Sequence, residues 1–86
     1  MNRADITESV KTLLVDTLSL NLSPAELNEE TPLLGNFPEF DSMAIVSVIT
    51  SLEETFEFMA QDDDLTAEVF ETIGSLVDFV IQQQNS

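Results

Sequence analysis

The chain has no cysteine and no histidine. The first absence excludes disulfides, thiolate chemistry and most zinc sites. The second removes the usual general base and metal ligand. Positive charge is nearly missing as well. Arg3 and Lys11 face 17 acidic residues, for a formal charge of −15. Such a surface repels nucleic acid and anionic membrane and attracts basic proteins, acting mainly on encounter rate and selectivity. The N-terminus is polar and no apolar run approaches spanning length, so neither a signal peptide nor membrane insertion is expected. The expected location is the cytoplasm.

What remains is enough to fold. The 86 residues are 43% apolar, close to globular proteins, and a chain this short supports one core. A single domain over 1–86 is expected, with a long loop at about 21–40 and a polar tail at about 82–86.

Hydrophobic spacing divides the chain into helices. Asp5 and Glu8 suggest a capping box of the Asp-x-x-Glu kind, followed by a stripe of Ile6, Val10, Leu13 and Leu14. Lys11 falls on the opposite side and reads as solvated. In the long loop, Ser23-Pro24-Ala25-Glu26 places a cap, an N1 proline and an N3 glutamate in order, predicting a helical turn. Leu27, Leu33, Leu34 and Phe37 are expected to pin the rest to the core, with Gly35 and Pro38 as punctuation. Asp62-Asp63-Asp64 lacks the glycine and glutamate that a calcium loop would need at Ala67 and Ile73, and reads as a solvated turn. Thr66 can cap a short helix carrying Val69 and Phe70. Thr72 can cap a last helix whose Ile73, Leu76, Val77, Val80 and Ile81 hold helical spacing. No segment alternates long enough for a strand. The reading is all-α: three main helices and one short one.

The helix from Asp41, its expected N-cap, to about Phe56 carries the functional signal. At about 100° per residue, Ile45, Val48, Ile49, Leu52 and Phe56 share a core arc. Ser42 and Glu53 sit at its edge, and Met43, Val46, Ser47, Thr50 and Glu54 face water. Glu53, Glu54 and Glu57 crowd the last turns, where the helix dipole favours cations, and Glu53 with Glu57 forms a like-charged pair. Local rules broken together mark functional surfaces. Ser42 lies in the first turn, where unpaired N–H groups and the dipole suit a phosphate ester. Asp-Ser is equally a common capping pair, so local chemistry leaves two uses for this serine. Catalysis is not one of them, because the sequence offers Ser42 no activating base and no Gly-x-Ser-x-Gly elbow.

Asp41-Ser42-Met43, preceded by Thr31-Pro32-Leu33-Leu34-Gly35 and followed by Leu52-Glu53-Glu54-x-Phe56, resembles the acyl carrier protein family. The segment from Phe70 to Val80 looks like that family's third-to-fourth helix junction. The resemblance implies a monomeric carrier, not an enzyme. Ser42 would receive 4′-phosphopantetheine from a phosphopantetheinyl transferase, flanked by Asp41 and Met43. The arm would hold acyl intermediates of lipid, polyketide or related biosynthesis as thioesters. Val46, Glu53 and Glu54 match contacts to acyl-loading and acyl-transferring enzymes with basic docking patches. Met43 replaces the usual leucine, Glu39-Phe40 stands where a glycine-containing pair is common, and Ala44 and Ser47 stand where fatty-acid-synthesis carriers are often acidic. These departures suggest a specialised member. The alternative is an unmodified acidic module that keeps the carrier fold and binds a basic partner.

Overall fold

The computed structural model of the chain describes residues 2–33, 40–61 and 65–85. Within them lie three α-helices, α1 (Arg3–Leu18), α2 (Ser42–Phe56) and α3 (Ile73–Gln84), and two single 3-10 turns at Pro24–Glu26 and Ala67–Phe70. No strand forms among the described residues; Pro32 and Thr72 make one isolated antiparallel bridge. The architecture is the all-α one the sequence predicts. The expected punctuation at Gly35 and Pro38, the pinning by Leu34 and Phe37, and the run at 62–64 fall outside the described residues.

Helix starts follow local chemistry, with one correction. Asn2, not Asp5, caps α1: its side chain accepts the Asp5 N–H at 2.8 Å. Asparagine caps as well as aspartate, and Asp5 then sits in the first turn, where its charge meets the positive end of the dipole. Glu8 does not close a capping box but pairs with Lys11 at 2.8 Å. In the loop, the Ser23 N–H donates to Glu26 at 2.8 Å, as the motif predicts. Thr66 holds the cap position of the second 3-10 turn without a side-chain capping bond. Thr72 and Ser75 form a reciprocal box at 3.1 and 3.0 Å. The last helix runs on to Gln84, so most of the tail expected to fray from Gln82 is helical.

The core stripes meet as expected. Ile6, Val10 and Leu14 of α1, Val48, Ile49, Leu52 and Phe56 of α2, and Ile73, Leu76, Val77 and Val80 of α3 are buried. Leu13, Ile45 and Ile81 are only partly covered. Helix α1 lies against both other helices, while α2 and α3 touch each other least.

Residues 27–33 of the long loop are tied down by their backbone. Leu27 and Leu33 are buried. Between them, the Glu29 carbonyl accepts the Gly74 N–H at 2.8 Å and the Thr31 carbonyl accepts the Ile73 N–H at 3.1 Å. The Leu33 N–H in turn donates to Glu71 at 2.9 Å. Residues 27–33 thus form a strap that satisfies donors which the start of α3 cannot satisfy itself.

Both basic side chains hold this strap. Lys11 is only 9% exposed, which corrects the solvated reading. Its Nζ donates to the Leu27 carbonyl at 3.1 Å beside Glu8, so a passing carbonyl and a neighbouring carboxylate justify burying the stem. Arg3 donates to Glu29 through Nε at 3.1 Å and to Asp78 through Nη1 at 2.6 Å, joining α1, strap and α3. Its hydrogen bonds to Glu29 and then Asp78 raise a pKa that is already high, so its charge is constant over working pH.

With both basic side chains committed internally, the remaining acids repel one another. Raising sodium chloride from about 0.05 to about 0.5 M should raise the melting temperature, since screening relieves self-repulsion. The opposing loss is small, because exposed ion pairs such as Arg3–Asp78 contribute at most about 1 kcal/mol. A fall in melting temperature would show that the ion pairs dominate.

Candidate functional site

The site is the start of α2. Phe40, just before the helix, is buried against Phe70 with ring centroids 5.8 Å apart. That contact fixes the approach of the chain to its cap. Asp41 is extended, its carboxylate accepts the Ala44 N–H at 2.9 Å, and its carbonyl accepts the Ile45 N–H at 2.9 Å. Asp41 is therefore the cap, and Ser42 is the first helical residue.

This placement separates the two uses left open for Ser42. Capping is done by its neighbour. Ser42 is exposed, and among the described residues nothing hydrogen-bonds its hydroxyl. Nor do the N–H groups of Ser42 and Met43 have partners among those residues. A hydroxyl beside two free donors at the positive end of a helix can carry an anionic ester. Among the described residues no side chain accepts the proton of that hydroxyl.

Beyond Ser42, one face of α2 stays uncovered. Met43 is 79% and Val46 65% exposed, with Ser47, Thr50 and Glu54 also in water. Large apolar side chains this exposed, beside a serine and acids, make this face of α2 amphipathic. At 1.5 Å per residue, the 15 residues of α2 extend it over about 22 Å.

The two acids expected to meet partners are placed differently. Glu54 is exposed. Glu53 is half-buried, and its carboxylate accepts the Ala60 N–H at 2.8 Å. Between them and Ala60 the chain turns through Glu57, which adopts a left-handed φ of 56°. The N–H groups of Glu57 and Phe58 both donate to the Glu53 carbonyl. Phe58 packs edge-on against Phe79 of α3 at 5.9 Å, leaving Met59 82% exposed. Sequence reasoning did not single out Met59, because alternation over four residues carries no usable periodic signal.

A solvent-open cleft of about 560 Å³ between α1 and α2 is lined by Leu13, Asp16, Ser51 and Glu54 among others and does not reach Ser42. Among the described residues no group of three acids could hold a metal ion, and no helix is long and apolar enough to cross a membrane.

An exposed serine at the head of an amphipathic, acid-ended helix fits a small helical carrier or docking module. Comparison with known proteins narrows this. No family model matches the chain. It is 30% identical over 78 residues to the acyl carrier protein of Chlamydia trachomatis, covering 91% of this chain and 95% of that one. It is 32% identical over 73 residues to the acyl carrier protein of a Sulfurovum species, covering 85% and 91%. Its fold superposes on the solution NMR structure of a holo acyl carrier protein from Nitrosomonas europaea with a TM-score of 0.85. That pair is 46% identical over 93% of this chain and 96% of the other. The chain belongs to the acyl carrier protein family.

Proposed function

We propose that the chain is a single acyl-carrier domain whose Ser42 bears 4′-phosphopantetheine. A separate phosphopantetheinyl transferase would direct the Ser42 oxygen onto the phosphorus next to the pantetheine of coenzyme A. A P–O ester bond forms, the pyrophosphate linkage breaks, adenosine 3′,5′-bisphosphate leaves, and the hydroxyl proton passes to a base of the transferase. The arm supplies the thiol that the cysteine-free chain lacks, and acyl groups ride on it as thioesters. The observation that carries this reading is the Asp41 cap, which leaves the adjacent hydroxyl exposed and two N–H groups available to the phosphate.

The other residues have roles that follow from their places. Asp41 fixes the register of Ser42 on the helix. Met43 and Val46 offer apolar contact beside the arm, and Glu54, exposed near the far end of α2, faces basic docking patches on acyl-loading and acyl-transferring enzymes. Ala44 and Ser47 leave the half of α2 nearest the arm without acids, so the matching half of a partner's patch is more apolar than basic. That division supports partners of a specialised pathway over those of general fatty acid synthesis.

Intact-mass measurement after incubation with coenzyme A and a broad-specificity transferase tests the proposal. One added phosphopantetheine group is expected, and none in Ser42→Ala. No gain in the parent chain favours the unmodified docking module, and a gain that persists in Ser42→Ala moves the attachment elsewhere.

A further inference from the structure

Glu53 and Glu54 are chemically identical neighbours, yet their surroundings assign them different work. Glu53 is bonded to its own chain at three donors. Its carbonyl accepts the N–H groups of Glu57 and Phe58, and its carboxylate accepts the N–H of Ala60, seven residues on. A carboxylate accepting a backbone N–H makes one of the stronger hydrogen bonds available to a side chain. It is needed at this turn, because Glu57 holds a left-handed conformation that a residue with a Cβ adopts at a cost. Glu54 makes no such bond among the described residues and projects into solvent.

The consequence reaches Met59. Its neighbours on either side are both held inward, Phe58 by the edge-on contact with Phe79 and Ala60 by the Glu53 carboxylate. With both neighbours fixed, Met59 has no route to the core and stands 82% exposed. Together with Met43 and Val46 it completes the set of large apolar side chains exposed among the described residues. These three lie at the two ends of α2, with Glu54 between them. A flexible, polarizable methionine suits a contact that must fit several partners.

We propose that Glu53 is a positioning residue that locks the turn after α2. On this view Glu54 and the Met59 it helps present make the partner contact at that end of the helix. The docking half of this inference rests on the carrier reading, whereas the lock does not. The occupant is the basic, apolar-pocketed docking patch of an arm-transferring enzyme, matched by charge to Glu54 and by apolar surface to Met59.

Two readouts on the full chain test it. The first is amide hydrogen exchange at Ala60 by NMR. Glu53→Ala should speed exchange there by about tenfold or more. Glu53→Gln, whose amide oxygen can still accept, should restore most of the protection. The second is the transferase KM. Glu53→Gln should leave it within about twofold of the parent, while Glu54→Gln and Met59→Ser should each raise it roughly three- to fivefold with Ala60 exchange unchanged. Unaltered Ala60 exchange in Glu53→Ala overturns the lock. A KM for Glu53→Gln as high as that of Glu54→Gln overturns the division of labour. If the parent chain accepts no arm, the carrier reading and with it the docking half fail, and the exchange data still decide the lock.

Discussion

Gly74→Ala is expected to lower the melting temperature by about 10–20 °C, although glycine-to-alanine changes in helices ordinarily stabilise. Helix propensity alone favours alanine by about 1 kcal/mol. At this position a Cβ would lie 2.9 Å from the Glu29 carbonyl oxygen and 3.2 Å from the Glu29 Cβ. The obstacle is backbone and cannot swing aside. Relief requires the strap to lift, which breaks the 2.8 Å bond from the Gly74 N–H and strains its neighbour from Ile73 to Thr31. Overpacking costs about 1–3 kcal/mol, and a lost backbone bond leaves a donor at the helix start unpaired for about 1–3 more. Against the propensity gain, the net loss is about 1–5 kcal/mol, centred near 3. Chains of this size lose about 4–8 °C per kcal/mol, and total stability at 0.05–0.15 kcal/mol per residue is only about 4–13 kcal/mol. Thermal unfolding followed by circular dichroism checks it. An unchanged or raised midpoint would mean that the strap yields freely and does not fix the start of α3.

The second large effect is expected at Lys11. Replacing it by methionine keeps most of the buried stem and deletes the ammonium. The Leu27 carbonyl then loses its donor in a buried setting, which costs about 1–3 kcal/mol. The partner pair with Glu8 contributes little, because that carboxylate is largely exposed. Lys11→Arg tests the cause further: it keeps the charge but places a broad planar fork where a compact ammonium fits, so it should recover only part of the loss. Chemical denaturation of both variants gives the measurement. If Lys11→Met matches the parent, the carbonyl is hydrated and the lysine is ornamental to stability.

Both effects involve features that were hidden from sequence reasoning for the same reason. Lys11 reads as solvated when α1 is considered alone, and what buries it is a carbonyl sixteen residues away. Gly74 looks like an ordinary glycine in a capping sequence until Glu29 is brought against it. The α1 cap shows a smaller version of the problem: Asn2 and Asp5 cap almost equally well, so pattern alone could not choose. By contrast, α2 was legible almost to the residue. Its Asp41 cap, its core arc and its exposed Met43 and Val46 all follow from one helix's own periodicity. The paired role of Glu53 was not, because Ala60 returns to it only through the left-handed turn at Glu57. Ser42 falls between these cases. Its place in the first turn was readable, but its release from capping depended on which atom Asp41 used.

The absence of cysteine makes the central claim directly measurable. These 86 residues hold no cysteine, so any thiol found on this chain must have arrived with an arm. After incubation with coenzyme A and a transferase, removal of small molecules and denaturation, thiol titration should find a single thiol per chain in the parent and none in Ser42→Ala. No thiol in the parent, or one that remains in Ser42→Ala, would contradict the assignment of Ser42 as the carrier of the arm.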